Sequence, residues 1–288
     1  MRIVSLLPSA TEVLFALGAG EQLVARTHEC DFPPEAASLP VVTRSTVRLA
    51  DQDSASIEEA VAQAAREGRP LYEVDTSAIL ALDPDLVVAQ DICEVCAIPA
   101  DQVSAQLAGV RMIRQHPHSL ADVLADIEEL AEACAADPTP LMSSLRRRIE
   151  AASSAAAEMP RVRGVFLEWI DPPYPAGHWT PDICALAGID DPLARPGVPS
   201  RAISWQAVRA AMPEVLVIAP CGFDRARAER EAAAMRRETD ATGALRVIVL
   251  DGSAYFNRPG PRLVDSLEQL VASRRANLGV DSERRTTA

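Results

Sequence analysis

Two stretches of this chain open alike, and a single long helical pattern separates them. Before the separator, Arg2-Ile3-Val4-Ser5-Leu6-Leu7 reads as a strand feeding a helix that ends Ala16-Leu17-Gly18; after it, Arg163-Gly164-Val165-Phe166-Leu167-Glu168-Trp169 reads as a strand feeding a helix that ends Ala187-Gly188. The likeness recurs further on. Ala81-Leu82-Asp83-Pro84-Asp85-Leu86-Val87-Val88-Ala89 parallels Ala211-Met212-Pro213-Glu214-Val215-Leu216-Val217-Ile218-Ala219, each a helix end, a proline and a buried-type strand. A self-similar pattern of this length dictates two α/β lobes and says little about chemistry. The separator is Pro140 to Met159, with Leu141, Leu145, Ile149, Ala152, Ala156 and Met159 at helical steps of three and four. Asp137-Pro138-Thr139-Pro140 starts it and Pro160 stops it, giving a rod of roughly 28 Å at about 1.5 Å per residue.

The predicted fold class is therefore α/β: two parallel-sheet lobes joined by one long inter-lobe helix, with a ligand cleft between the lobes. The boundaries read as 1–137 for the first lobe, 138–160 for the helix, 161–279 for the second lobe and 280–288 for a disordered tail. A chain of 288 residues with 48% hydrophobic content can fill both cores. Its formal charge of −13 argues against nucleic acid and anionic membranes as partners. No run approaches the roughly 20 apolar residues that span a bilayer. Met1-Arg2 leads straight into a strand without a signal-peptide pattern, so the expected location is cytoplasmic, or periplasmic or cell-surface should the true start lie upstream. The six cysteines are scattered rather than spaced as a disulfide framework, and Cys134 and Cys184 sit in core patterns.

In parallel sheets covered on both faces, ligands bind outside the carboxyl ends of the strands. The loops that follow strands here are Pro8-Ser9, His28 to Asp31, Arg44-Ser45, Asp91 to Cys96, Ile170 to Trp179, Cys221-Gly222-Phe223 and Ser253 to Arg258. One of the three tryptophans, with a second immediately before the same loop, and two of the three tyrosines fall in them, in a chain with only 4% aromatic residues, which points to a flat or greasy ligand. Ser9-Ala10-Thr11-Glu12 reads as a capping box, so Ser9 is a helix cap rather than a nucleophile. Cys93-Glu94-Val95-Cys96 has the strand-to-helix context of a dithiol motif, to be weighed against local packing; a zinc site would have to gather His28, Cys30 and Cys221. His28 and His178 are either hydrogen-bonding loop residues or ligand contacts. Asn257-Arg258-Pro259-Gly260-Pro261 is either a rigid turn or, with Tyr255-Phe256 before it, part of a binding edge. No nucleophile elbow, phosphate loop or dinucleotide fingerprint is present, so the chain is not read as an enzyme.

At these residues the chain resembles a known family. Arg2 to Gly18, the His28 to Pro34 segment and the Pro84-Asp85-Leu86-Val87 strand resemble those of vitamin B12-binding proteins of ABC importers, the helical-backbone class of periplasmic binding proteins. Gln90 to Cys96, Gly177-His178-Trp179 and Ala254 to Pro261 resemble a leaderless subgroup labelled cobalamin-binding. The resemblance implies a corrinoid ligand, relatives that bind siderophores, haem or metal ions, and small hinge motion about the rigid helix. It also implies one docking glutamate per lobe for the membrane permease, where this chain has Ser77 and Gln206.

The expectation is thus a non-enzymatic, monomeric binding protein that needs no cofactor of its own and takes one cobalamin or related corrinoid. Trp169, Tyr174, Trp179, Trp205 and Phe256 are expected to stack on the ligand, Arg44, Arg201 and Arg258 to reach its polar edge, and His28 or His178 to approach a central metal. Glu29, Ser45, Asp91, Phe223, Tyr255 and Asn257 complete the expected contact set. The alternatives are a metal-ion, haem or siderophore binder, or a cytoplasmic redox protein or enzyme using Cys93, Cys96 and Cys221.

Overall fold

The structure is a computed structural model that describes residues 1–47, 52–91 and 100–286, without side chains at 101, 102 and 277–286. The predicted dithiol loop with Cys93 and Cys96 lies outside the described residues. The chain divides into two compact units, one of Met1–Pro117 and Ala121–Met142, the other of His118–Leu120 and Ser143–Ala288.

In the N-terminal unit, β1 (Ile3–Ser5), β2 (Leu23–Ala25), β5 (Leu86–Gln90) and β6 (Arg111–Gln115) form a parallel sheet in the order β2-β1-β5-β6. The central strands β1 and β5 are short apolar runs buried on both faces, as a sheet covered by helices requires. Val4, Leu6, Val87 and Ala89 pack one face against Ile79, Val103 and Leu107. Between β2 and β5, β3 (Thr43–Ser45) and β4 (Tyr72–Val74) pair antiparallel as a separate two-stranded ribbon. Helices α1 (Pro8–Ala16), α2 (Ser54–Arg66), α3 (Thr76–Ala81), α4 (Ala100–Gln106) and α5 (Leu120–Ala133) complete the alternation.

The predicted capping box is not what starts α1. Leu7 is the N-cap, without a side-chain bond, and Pro8 takes the first helical position. A proline there has its φ preset and no amide to satisfy, so the helix begins before Ser9, which is buried in its first turn. Asp53 and Asp75 do cap α2 and α3, each accepting a backbone N–H at 2.8 Å.

The separator is one continuous helix, α6 (Thr139–Ala157). Its buried residues are Met142, Leu145, Ala152 and Ala156, with Met159 just beyond its end.

In the C-terminal unit, β7 (Val162–Ile170), β10 (Ile189–Asp190), β12 (Val215–Ile218) and β13 (Arg246–Val249) are parallel in the order β10-β7-β12-β13. The first and second strands of each half are neighbours, and the third pairs the first on its other side. β7 then turns back on itself through β8 (Pro173–Pro175), an antiparallel hairpin with no counterpart after β1. A two-residue ribbon joins β9 (Gly177–His178) to β11 (Arg195–Pro196). The helices are α7 (Thr180–Leu186), α8 (Trp205–Ala210), α9 (Arg225–Ala234), α10 (Arg236–Asp240) and α11 (Leu263–Thr286). Within this unit, Arg148 of α6 donates to Glu268 of α11 at 2.8 Å through Nε and also bonds Asp265. The buried Arg274 of α11 donates to the carbonyls of Pro160, at 2.6 Å, and of Ala187. Gly188 lets it in: its φ of +74° suits glycine, and a Cβ there would lie 3.3 Å from the guanidinium carbon. Helix α11 continues through 280–286, the stretch whose composition marks it as a tail. A glycine inside a helix costs only about 1 kcal/mol against alanine, and no proline follows Gly279, so nothing local ends the helix there.

Candidate functional site

The carboxyl edge of the C-terminal sheet gathers most of the predicted aromatic residues, in two layers. The outer layer begins where β7 ends. Trp169 faces Tyr174 directly across the hairpin, which puts both side chains on one side of the ribbon. The Trp169 ring tilts against Phe223 at 5.0 Å, its indole N–H donates to the Asp171 carbonyl at 3.2 Å, and the Arg227 guanidinium lies over the Phe223 ring at 3.9 Å. Phe223 is 1% exposed, whereas Trp169 and Tyr174 are half-buried and keep free surface. Arg227 was not among the expected contacts. Its cation–π position depends on Asp224 capping α9, which sets the helix phase and could have been read from the cap.

The inner layer is core. Trp179 is 6% exposed and donates its indole N–H to the Phe256 carbonyl at 2.8 Å, while the Phe256 ring packs on Phe166 at 5.1 Å. Neither is a stacking wall as expected: the Trp179 indole fastens the turn after β13 to the start of α7, and the Phe256 ring packs that turn on β7. Arg258, expected at the ligand's polar edge, is likewise buried. That turn is a single π turn, Gly252–Phe256, capped by Asp251. Gly252 fits only because it has no side chain, since a Cβ would lie 2.6 Å from the Ala219 carbonyl oxygen and closer still to that of Pro220. Tyr255 remains half-buried with Arg262 5.6 Å from its ring, and Asn257 closes the turn by donating its backbone N–H to Gly252 at 3.1 Å. Trp205 opens α8, behind a Ser204 cap, and packs on the core face formed by Val165, Leu167 and Ile218.

Two half-buried carboxylates fix the loops. Asp191 accepts the backbone N–H groups of Phe166, Leu193 and Ala194; burial raises its pKa against those three bonds. Burial also pushes the Cys184 thiol up, with help from Asp191 and Glu168. Glu168 accepts the Gly177 N–H at 2.9 Å and so holds the loop of His178. His178 itself sits at a φ of +50°, unusual for a side chain other than glycine, with its ring 5.5 Å from Trp179 and stacked 6.2 Å from His118. Nothing in Pro117-His118-Ser119 distinguishes His118 from a helix lead-in in the sequence. Arg201 is exposed on the 197–204 loop.

The N-terminal edge is polar. His28 shares a 2.7 Å hydrogen bond with Thr43 through Nδ1, lies 3.4 Å from Glu29 through Nε2 and tilts against Tyr72 at 5.6 Å. Tyr72, on a strand missed in the sequence, is the aromatic partner there. Arg44 is exposed and pairs with Glu73, Ser45 donates to the Val47 carbonyl at 2.6 Å, and Asp91 lies 3.5 Å from Arg114. Cys30 is fully buried, with the Thr11 and Thr27 hydroxyls each 3.1 Å from its sulfur. Its place in a hydroxyl network explains why it does not stand out beside His28 as a metal ligand. Among the described residues no group of three His, Cys, Asp or Glu could hold a metal ion, and no helix is long and apolar enough to cross a membrane.

No family model matches the chain. It is similar to a vitamin B12-binding protein of Vibrio cholerae, 26% identical over 279 residues that span 93% of this chain and 87% of the relative. It is also similar to a vitamin B12-binding protein of Pectobacterium carotovorum, 25% identical over 274 residues, covering 94% and 87%. Among solved structures, the periplasmic vitamin B12 binding protein of Vibrio cholerae superposes with a TM-score of 0.67 at 23% identity, over 94% of this chain and 95% of that one. The periplasmic haem-binding protein of Roseiflexus superposes with a TM-score of 0.66 at 23% identity, over 94% and 97%.

Proposed function

We propose that this chain, a member of the class III periplasmic-binding-protein family, is a non-enzymatic binding protein for cobalamin or a related corrinoid. The observation that carries the reading is the cluster of Trp169, Tyr174, Phe223 and Arg227 at the carboxyl edge of the C-terminal sheet. A flat macrocycle gains by covering exposed aromatic surface, at roughly 25 cal/mol per Å² of apolar area, while its polar rim needs partners such as the exposed Arg201. The names of the B12-binding relatives favour the corrin among flat ligands.

One ligand binds per chain, and the chain acts as a monomer. Docking on a permease is no part of the proposal. Ser77 and Gln206 sit exposed in the first turns of α3 and α8, the corresponding helices of the two halves, and neither carries charge.

Titration calorimetry of the purified protein with cobalamin, haem and zinc decides. The expected result is one-to-one cobalamin binding at micromolar concentrations or tighter, weakened by about 1–3 kcal/mol in Trp169→Ala. Haem binding without cobalamin binding would transfer the reading to a porphyrin, and tight zinc binding alone would replace it with a metal site.

A further inference from the structure

Two hydrogen-bond donors at the carboxyl edge of the C-terminal unit have nothing to donate to. Trp205 Nε1 and Asn257 Nδ2 are both buried, and no described group accepts from either. This is not how the fold treats its other indoles: Trp169 donates to the Asp171 carbonyl and Trp179 to the Phe256 carbonyl. A buried donor left unpaired costs about 1–3 kcal/mol, and native proteins keep few of them.

Their positions are not scattered. The backbone N–H of Ile203 donates to the Pro173 carbonyl at 2.9 Å, which sets the start of α8, and with it Trp205, beside the hairpin of Trp169 and Tyr174. Asn257 terminates the π turn that Trp179 fastens through the neighbouring Phe256 carbonyl. Both donors, one at the start of α8 and one at the end of the π turn, therefore lie at the edge already proposed to bind ligand. Trp205 spends its apolar surface on the core face of Val165, Leu167 and Ile218, so the chemistry it has left to offer is the N–H rather than a stacking face. The exposed Arg201 guanidinium stands four residues before it in the chain.

We propose that Trp205 and Asn257 are specificity-determining residues whose N–H groups, after a side-chain rotation as the ligand seats, donate to acceptor oxygens on its rim. The ligand class is then a macrocycle fringed with carboxamide or carboxylate groups, and a bare apolar ring is rejected because it leaves both donors unmet. This rests on the binding reading above and adds to it the polarity of the rim.

The test uses the full chain, with cobalamin as the carboxamide-bearing probe and haem as the carboxylate-bearing one. In 15N-labelled protein the three indole resonances are assigned by single Trp→Phe changes, and the Trp205 signal is expected to move downfield and exchange more slowly on ligand addition. Zinc protoporphyrin replaces haem in that measurement. Trp205→Phe should leave the melting temperature of the ligand-free protein unchanged or raised, yet weaken binding roughly three- to tenfold, as one neutral hydrogen bond is worth. Asn257→Leu should behave likewise, and it carries the test alone should Trp205→Phe fail to fold. Wild-type binding with an unmoved Trp205 resonance and undiminished affinity in both variants overturns this inference and leaves the binding reading standing. Binding of neither macrocycle by the wild type overturns both.

Discussion

The two units of this chain use one strand order for different edges. β2-β1-β5-β6 and β10-β7-β12-β13 are the same arrangement built twice, around central strands buried on both faces. Above the N-terminal strands lies a network of small polar groups, in which Ser5 donates to the Leu7 carbonyl, Thr11 donates to Ser5 and also touches the Cys30 sulfur, and Thr43 meets His28. Above the C-terminal strands lie Trp169, Tyr174, Phe223, Trp179 and Phe256. The difference begins with the hairpin β7–β8, which lengthens one strand end so that aromatic residues stack outward from it. Apolar strand runs decide the sheet, and the loops decide what the edge can hold.

The largest effect is expected from breaking the inner aromatic layer. Trp179→Ala should cost about 3–5 kcal/mol of stability in chemical denaturation, because it empties a buried site and strands the Phe256 carbonyl. Trp169→Ala on the same edge should be far milder in stability and should act on binding. Equal stability losses in the two variants would erase the division into layers.

Gly252→Ala comes next. Its methyl would press on the Ala219 and Pro220 carbonyls, which are backbone and cannot rotate away, so a loss of about 1–3 kcal/mol is expected from overpacking. A melting temperature equal to that of the wild type would show that the π turn can lift off β12 freely.

Much of this was legible beforehand, and the misses have a common cause. α6 declared itself by its 3.6-residue stripe between proline signals, and β5 and β12 by apolar runs after a proline; these are local patterns. Burial of a loop aromatic is not local. Trp179 and Trp169 sit in the same Ile170-flanked, proline-rich sequence, but the acceptor that draws Trp179 inward is the Phe256 carbonyl, 77 residues along the chain. The ribbon of β3 and β4 was hidden for a similar reason. Thr43↔Val74 pairing joins two three-residue strands too short to show alternation, and it is what brings Tyr72 to His28. Arg44 was expected to reach a ligand, but the same pairing sets it opposite Glu73.

The N-terminal unit carries a titration of its own. Asp126 on α5 has one carboxylate oxygen buried without a hydrogen-bond partner, and burial, with Glu129 and Asp122 adding repulsion, raises its pKa to about 7. A carboxyl raised in the folded state contributes stability below its unfolded value near 3.8, and that contribution is lost as pH rises through about 7. Asp126→Asn should therefore raise the melting temperature more at pH 8 than at pH 5. A gain that does not grow with pH would place the Asp126 carboxylate in water.

The smallest effect sharpens the comparison at the polar edge. Arg44 and Glu73 lie opposite each other in the β3–β4 register, with side chains 77% and 50% exposed. An ion pair so open to solvent is screened and must hold two long side chains in one geometry, so a double-mutant cycle through Arg44→Ala and Glu73→Ala should return a coupling of only about 0.2–1 kcal/mol. On the binding side, the pair separates two roles for Arg44. If Arg44 contacts ligand, Glu73 competes for it, and Glu73→Gln should tighten cobalamin binding slightly while Arg44→Ala weakens it. If neither change moves the affinity, Arg44 only closes the ribbon, and the ligand contacts belong to the aromatic edge of the C-terminal unit.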